Sequence, residues 1–127
     1  MDKAELLTRT KLFGLRVLKL VGHLPQTTAG RAISNQLVRS GTAIGANYRA
    51  ARRSRSRAEF AAKLGVVAEE ADETLYWLEL IGDGDLLPAK KLDDILKEAH
   101  ELTAIFTAGR RTSVRHQTSN IKRQTSS

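Results

Sequence analysis

Between Phe60 and Ile81 the apolar positions are Phe60, Leu64, Val67, Ala71, Thr74/Leu75, Leu78 and Ile81, in alternating steps of four and three. Only a helix brings residues at that spacing onto one face. A strand would alternate every second residue, and no stretch of this chain carries a strand signal. Three more seams share the helical period. They are Leu6, Phe13, Val17, Leu20, Leu24; then Ile33, Leu37, Ser40/Gly41, Ile44, Tyr48, Ala51; and last Leu92, Ile95/Leu96, Ala99, Leu102, Phe106.

The punctuation between seams agrees. Asp2-x-x-Glu5 and Ser56-Arg57-Ala58-Glu59 are capping boxes, in which a side-chain oxygen accepts from an otherwise orphan helical N–H. Gly22, His23 and Pro25 close the first helix, and Thr27 or Thr28 caps the second, which is expected to break near Arg53–Arg55. Gly82-Asp83-Gly84-Asp85 ends the third. Pro88 suits the first turn of the fourth and Gly109 its C-terminal cap. Four amphipathic helices with short links predict an all-α, antiparallel up-down four-helix bundle over residues 1–109. Residues 110–127 lack periodicity and are expected to form a flexible, basic Ser/Thr-rich tail. The chain is 41% hydrophobic, enough for a core, with aromatics at 5%.

The second helix carries an unusually small run, Ser40-Gly41-Thr42-Ala43-Ile44-Gly45-Ala46. Each glycine costs about 1 kcal/mol in a helix interior relative to alanine. Close approach of a neighbouring helix is the expected compensation, with weak local helicity as the alternative.

Few chemistries remain open. With no cysteine there is no disulfide, thiolate metal site or thiol nucleophile. Leu20, Lys97 and Ser113 lie three residues before the three histidines, so no Glu-x-x-His pair exists for a di-iron site. There is no nucleotide-binding glycine loop and no Ser-His-Asp set. The expectation is a non-enzyme without metal or cofactor. No run approaches the roughly 18 apolar residues of a membrane span, and the start is unlike a signal peptide. A cytoplasmic location is expected.

Charge is where the chain is distinctive. Residues 1–63 carry +10, residues 64–109 carry −8 and residues 110–127 carry +5, within a net +7. Five arginines fall within nine residues: Arg49, Arg52, Arg53, Arg55 and Arg57. Arg31, Arg39 and Lys63 flank them, against Glu59 alone between residues 31 and 63. The arginine fork binds phosphate bidentately and is weakly hydrated. The cluster, with Arg39 and Lys63, is therefore a candidate surface for RNA or DNA backbone. The alternatives are carboxylates of a neighbouring copy and plain solvent. Glu69, Glu70, Asp72 and Glu73 on the third helix are either a cation or acid/base site or a solvated or intersubunit acidic face answering the arginines, with Glu69 and Glu73 expected at the oligomer interface. Glu69 and Glu73 share that face at i,i+4. Arg111 and His116 fit the Arg-x4-His spacing of HEPN ribonucleases, which gives a third, catalytic reading.

The runs Gln36-Leu37-Val38-Arg39-Ser40-Gly41-Thr42-Ala43-Ile44-Gly45-Ala46-Asn47-Tyr48, Ser56-x-x-Glu59-Phe60 and Glu69-Glu70-Ala71-Asp72-Glu73-Thr74-Leu75-Tyr76-Trp77-Leu78 resemble the 23S ribosomal RNA intervening-sequence (S23) proteins. The likeness covers roughly residues 5–108. It implies a four-helix bundle assembled as a homopentameric ring, of no assigned activity. A related branch, the accessory variability protein of diversity-generating retroelements, binds nucleic acid and a reverse transcriptase through basic surface. The family's Arg-Ser, Asn and capping-serine positions fall at Arg39, Ser40, Asn47 and Ser56. Its Ala-Glu-Gly reads Arg49-Ala50-Ala51 here, so that glutamate and glycine have no counterpart. Tyr76 and Trp77 lie just off the third seam and are either buried against a neighbouring copy in such a ring or packed at the edge of the core. Asn47 is either a buried residue fixing helix register or an exposed helix-end residue. The expected partners are further copies of the chain, RNA or DNA, and an unidentified protein.

Overall fold

The computed structural model describes the backbone of residues 1–125 and the side chains of residues 1–115. Four helices follow one another: α1 (Lys3–Val21), α2 (Thr28–Ala51), α3 (Arg57–Asp83) and α4 (Ala89–Thr125). No strand occurs among the described residues. Each helix packs on the next, and α1 meets α4 more sparingly, so the bundle closes loosely along that edge.

The expected caps form. Asp2 accepts from Glu5 N–H at 2.8 Å, Thr27 from Gly30 N–H at 3.1 Å, and Ser56 from Glu59 N–H at 3.1 Å. Each satisfies one donor that a helix start leaves orphaned. Pro88 stands just ahead of α4 rather than inside its first turn, and its carbonyl accepts from Lys91 N–H at 3.0 Å.

All four seams meet in one core. Phe13 and Val17 of α1, Leu37 and Ile44 of α2, Val67, Leu78 and Ile81 of α3, and Leu102 and Phe106 of α4 are essentially inaccessible to solvent. Burial of each such side chain stabilises by about 1.5–3 kcal/mol. The small run on α2 is the contact strip for α1. A Cβ built on Gly41 would lie 2.8 Å from Val17 Cγ2, and one on Gly45 would lie 3.3 Å from the Thr10 carbonyl oxygen. At Gly41 the Val17 side chain leaves no room for a Cβ, and at Gly45 the α1 backbone leaves only a tight fit.

One boundary departs from expectation. α4 does not stop at Gly109 but runs on to Thr125. Gly109 faces Leu64 of α3, whose Cδ1 would lie 3.9 Å from an added Cβ. A single glycine costs the helix only about 1 kcal/mol, and no proline follows to force an end. The basic segment after Gly109 therefore continues α4 rather than leaving it.

Candidate nucleic-acid interface

α2 ends at Ala51 with Arg52 as its C-cap, and α3 opens at Arg57 behind the N-cap Ser56. So short a link makes the helices antiparallel neighbours and crowds five guanidinium groups onto one end of the bundle. Arg49, Arg53, Arg55 and Arg57 are exposed, and Arg52 is half-buried. Arg52 is the anchored member. Its guanidinium carbon lies 5.8 Å from the centroid of the Phe60 ring, a cation–π contact. It also reaches the buried Tyr48, whose ring packs on Phe106 with centroids 5.3 Å apart. Burial raises the Tyr48 hydroxyl above its ordinary pKa, and Arg52 pulls the other way.

No carboxylate forms an ion pair with any of these five arginines among the described residues. The one local acid is otherwise engaged. Glu59 lies 2.9 Å from Lys63 Nζ and accepts from the backbone N–H of Arg55 at 3.1 Å. Those two bonds, the Lys63 contact first, hold its carboxyl below the usual range. The turn also works against its own helices. Arginines at the end of α2 complement the negative end of its dipole, whereas Arg55 and Arg57 sit at the positive end of α3. Mutual repulsion adds to that cost. Both are relieved by an anion at the turn.

The rest of the candidate residues are dispersed. Arg39 leaves the cluster and lies across α3, with Glu70 at 3.2 Å and Glu73 as its second partner. Hydrogen bonding by Arg39, and then by the Trp77 indole N–H, holds Glu73 below the ordinary carboxylate range, against the effect of burial. Lys63 is tied to Glu59. Of the acidic group, Glu70 and Glu73 are thus clamps for Arg39, while Glu69 and Asp72 are exposed and form no ion pair among the described residues. Among the described residues no set of histidine and carboxylate side chains gathers as a metal site. Tyr76 is 53% exposed and edges onto the half-buried Trp77 at 5.1 Å. Asn47 is half-buried and spends its amide on its own helix, donating to the Ala43 carbonyl at 2.9 Å. Arg111 is exposed on α4, and the side chain of His116 lies outside the described residues.

Sequence periodicity missed one contributor. Because α4 passes Gly109 unbroken, Arg110 comes alongside α3, its Nε 3.3 Å from where a Cβ on Gly65 would stand. Arg111 and Arg115 are exposed on the next turns. At 1.5 Å per residue, Arg115 lies about 7.5 Å further along α4, toward the arginine turn. The signal was available only as the absence of a proline after Gly109.

No helix among the described residues is long and apolar enough to cross a membrane. No curated protein matches the chain. A solved structure of a protein of unknown function from the S23 ribosomal protein family of Bacteroides thetaiotaomicron VPI-5482 is similar to it. The two share 32% identity and a TM-score of 0.75, over 81% of this chain and 95% of the other. The family model described as 23S rRNA-intervening sequence protein matches residues 2–108, which include the whole core of the bundle and the arginine turn. The chain belongs to the 23S rRNA-intervening sequence protein family.

Proposed function

We propose that this chain is a non-enzymatic, self-associating helical bundle that holds the phosphate backbone of RNA or DNA at its α2–α3 end. The observation that carries the reading is that Arg49, Arg52, Arg53, Arg55 and Arg57 converge on one turn without a carboxylate partner among the described residues. Arg110, Arg111 and Arg115 extend the same surface. A site of this kind contacts phosphates and not base edges, so it binds with little sequence preference and strong salt dependence. Arg39 and Lys63, already paired, are not part of it.

The test is a salt titration of binding to labelled RNA and DNA. Arg53→Ala/Arg55→Ala/Arg57→Ala removes three exposed guanidinium groups that no described contact uses. The slope of log affinity against log salt is expected to fall in magnitude by about 2–3, at about 0.7–0.9 per phosphate contact. Unchanged affinity and slope in a folded triple variant overturns the reading. RNA cleavage that is lost in His116→Ala would replace it with the nuclease one.

A second reading, assembly without nucleic acid, is favoured by the apolar surface of α1. Leu12, Leu15 and Leu18 are 54%, 53% and 48% exposed. Three leucines at that exposure on one helix of a small domain call for a covering partner.

A further inference from the structure

The aromatic residues of the chain are Phe13, Tyr48, Phe60, Tyr76, Trp77 and Phe106. None offers a free ring at the arginine turn. Phe13, Tyr48 and Phe106 belong to the core, at 1%, 5% and 1% exposure. Phe60 is half-buried, and the guanidinium of Arg52 already lies over its ring. Tyr76 and its neighbour Trp77 stand about 28 Å along α3 from Arg57, at 1.5 Å per residue. Beyond Phe106 the sequence contains no phenylalanine, tyrosine or tryptophan.

Single strands are held largely by such rings. Each base stacked on an aromatic face contributes about 1–3 kcal/mol, and that gain offsets the ordering of a flexible ligand. Without a ring, a single strand has only its phosphates to offer here. The cations, in contrast, are held in place by packed helices. Arg49 and Arg52 close α2, Arg57 opens α3, and Arg110 lies on α4 beside Gly65. Gly65 is about 12 Å along α3 from Arg57, and Arg111 and Arg115 of α4 fall within that length. All of these side chains except Arg52 are exposed, and none has an ion pair among the described residues. A duplex carries about one phosphate charge per 1.7 Å of its axis, both strands counted, in fixed positions. Fixed cations over such a length meet several of these charges at once, with no ligand to order.

We infer that the arginine end of the bundle takes double-stranded nucleic acid, gripped by its phosphates, in preference to single strands. That preference rests on the phosphate-binding reading above and adds the class of ligand.

The test sets a short blunt RNA duplex and a DNA duplex of the same sequence beside their separate, non-self-complementary strands, each bound across a salt series. The duplex is expected to bind about tenfold tighter or more than either strand, with the steeper salt slope of about 0.9 against 0.7 per phosphate contact. An abasic DNA strand is expected to bind within about threefold of the same strand with its bases, since no ring holds them. Arg53→Ala/Arg55→Ala/Arg57→Ala, with its helical circular dichroism unchanged, is expected to bring duplex and strand affinities together. Equal or tighter binding of the single strand overturns the inference and leaves the phosphate reading standing. So does a larger loss of affinity in the abasic strand. A duplex preference undiminished in the triple variant places the grip elsewhere and overturns the inference too. Failure of every duplex and strand to bind sinks the phosphate reading and the inference together. A preference shown by the RNA duplex alone, or by the DNA duplex alone, supports the inference and decides which of the two is the ligand.

Discussion

The hydroxyls of Ser40 and Thr74 lie 2.9 Å apart in the middle of the bundle, both at 0% exposure, and join α2 to α3. Thr74 Oγ1 also reaches the Glu70 carbonyl of its own helix at 2.7 Å. One residue earlier on α2, Arg39 holds the Glu70 and Glu73 carboxylates. The dipeptide Arg39-Ser40 thus grips a single turn of α3 twice, by charge at the surface and by hydroxyl inside. These are the two positions of the family's Arg-Ser pair, and here both are used in holding helices together.

Removing the two hydroxyls should have unequal costs. Thr74→Val leaves the Ser40 hydroxyl buried without the partner it has now, which costs about 1–3 kcal/mol. Ser40→Ala leaves Thr74 its bond to Glu70 and costs about 1 kcal/mol. Ser40→Ala/Thr74→Val, with both polar groups gone, is expected to lose less than the sum. Urea unfolding of the three variants measures this, and strict additivity would mean that the two hydroxyls are not coupled.

The glycines at the α1–α2 contact separate by sign. A Cβ on Gly41 meets the two methyls and Cβ of Val17 at 2.8–3.3 Å, with no flexible end to give way. Gly41→Ala is expected to destabilise by about 1–3 kcal/mol through overpacking. A Cβ on Gly14 meets Thr42 Cα at 3.8 Å, ordinary contact. There alanine regains helix propensity, and Gly14→Ala is expected to be neutral or to stabilise by up to about 1 kcal/mol. Thermal unfolding of the pair checks the opposite signs.

Much of this architecture is written in local signals. Ser56 and Asp2 are capping residues by type and spacing, and the run Ser40–Ala46 declares a close helix contact because nothing else offsets its glycines. Pairing across helices is not local. Arg39 belongs by sequence to a basic stretch, yet α3 turns Glu70 and Glu73 toward it. Leu7, Leu15 and Leu18 form a second apolar stripe that becomes visible only when the side of α1 already covered is known. Gly109 resembles a cap, but α3 still runs beside it there, and packing against Leu64 carries α4 onward.

Asp85, between α3 and α4, is the one described non-glycine residue with a positive φ, at 56°. Its N–H reaches the Gly82 carbonyl at 3.2 Å, and that of Leu86 reaches Ile81 at 2.9 Å, the paired bonds of a helix-ending turn that ordinarily uses glycine. A carboxylate at a helix C-terminus also opposes the dipole. Both effects favour Asp85→Gly, which is expected to stabilise by about 0.5–1 kcal/mol, with the helix content unchanged. A loss of stability in chemical denaturation would show that the aspartate side chain holds the turn in a way these bonds do not account for.

Along the loosely closed α1–α4 edge, Arg9 binds Glu98 twice, at 2.7 and 2.5 Å, and Glu101 at 2.8 Å. Hydrogen bonding by Arg9 holds Glu98 below the usual carboxylate range, with burial opposing it and Arg16 assisting by charge. A depressed native value means that the unfolded chain takes up the proton first. The stability from this bridge is present at neutral pH and is lost as pH falls below about 5 and on through the native value. Glu73 and Glu59, also depressed, act in the same direction. Glu98→Gln is expected to lower stability at pH 7 by about 1 kcal/mol and to flatten part of the acid decline. Equilibrium unfolding measured at intervals from neutral to acid pH checks both effects. An unchanged acid slope in Glu98→Gln would move the acid sensitivity of the bundle to the Arg39 clamp.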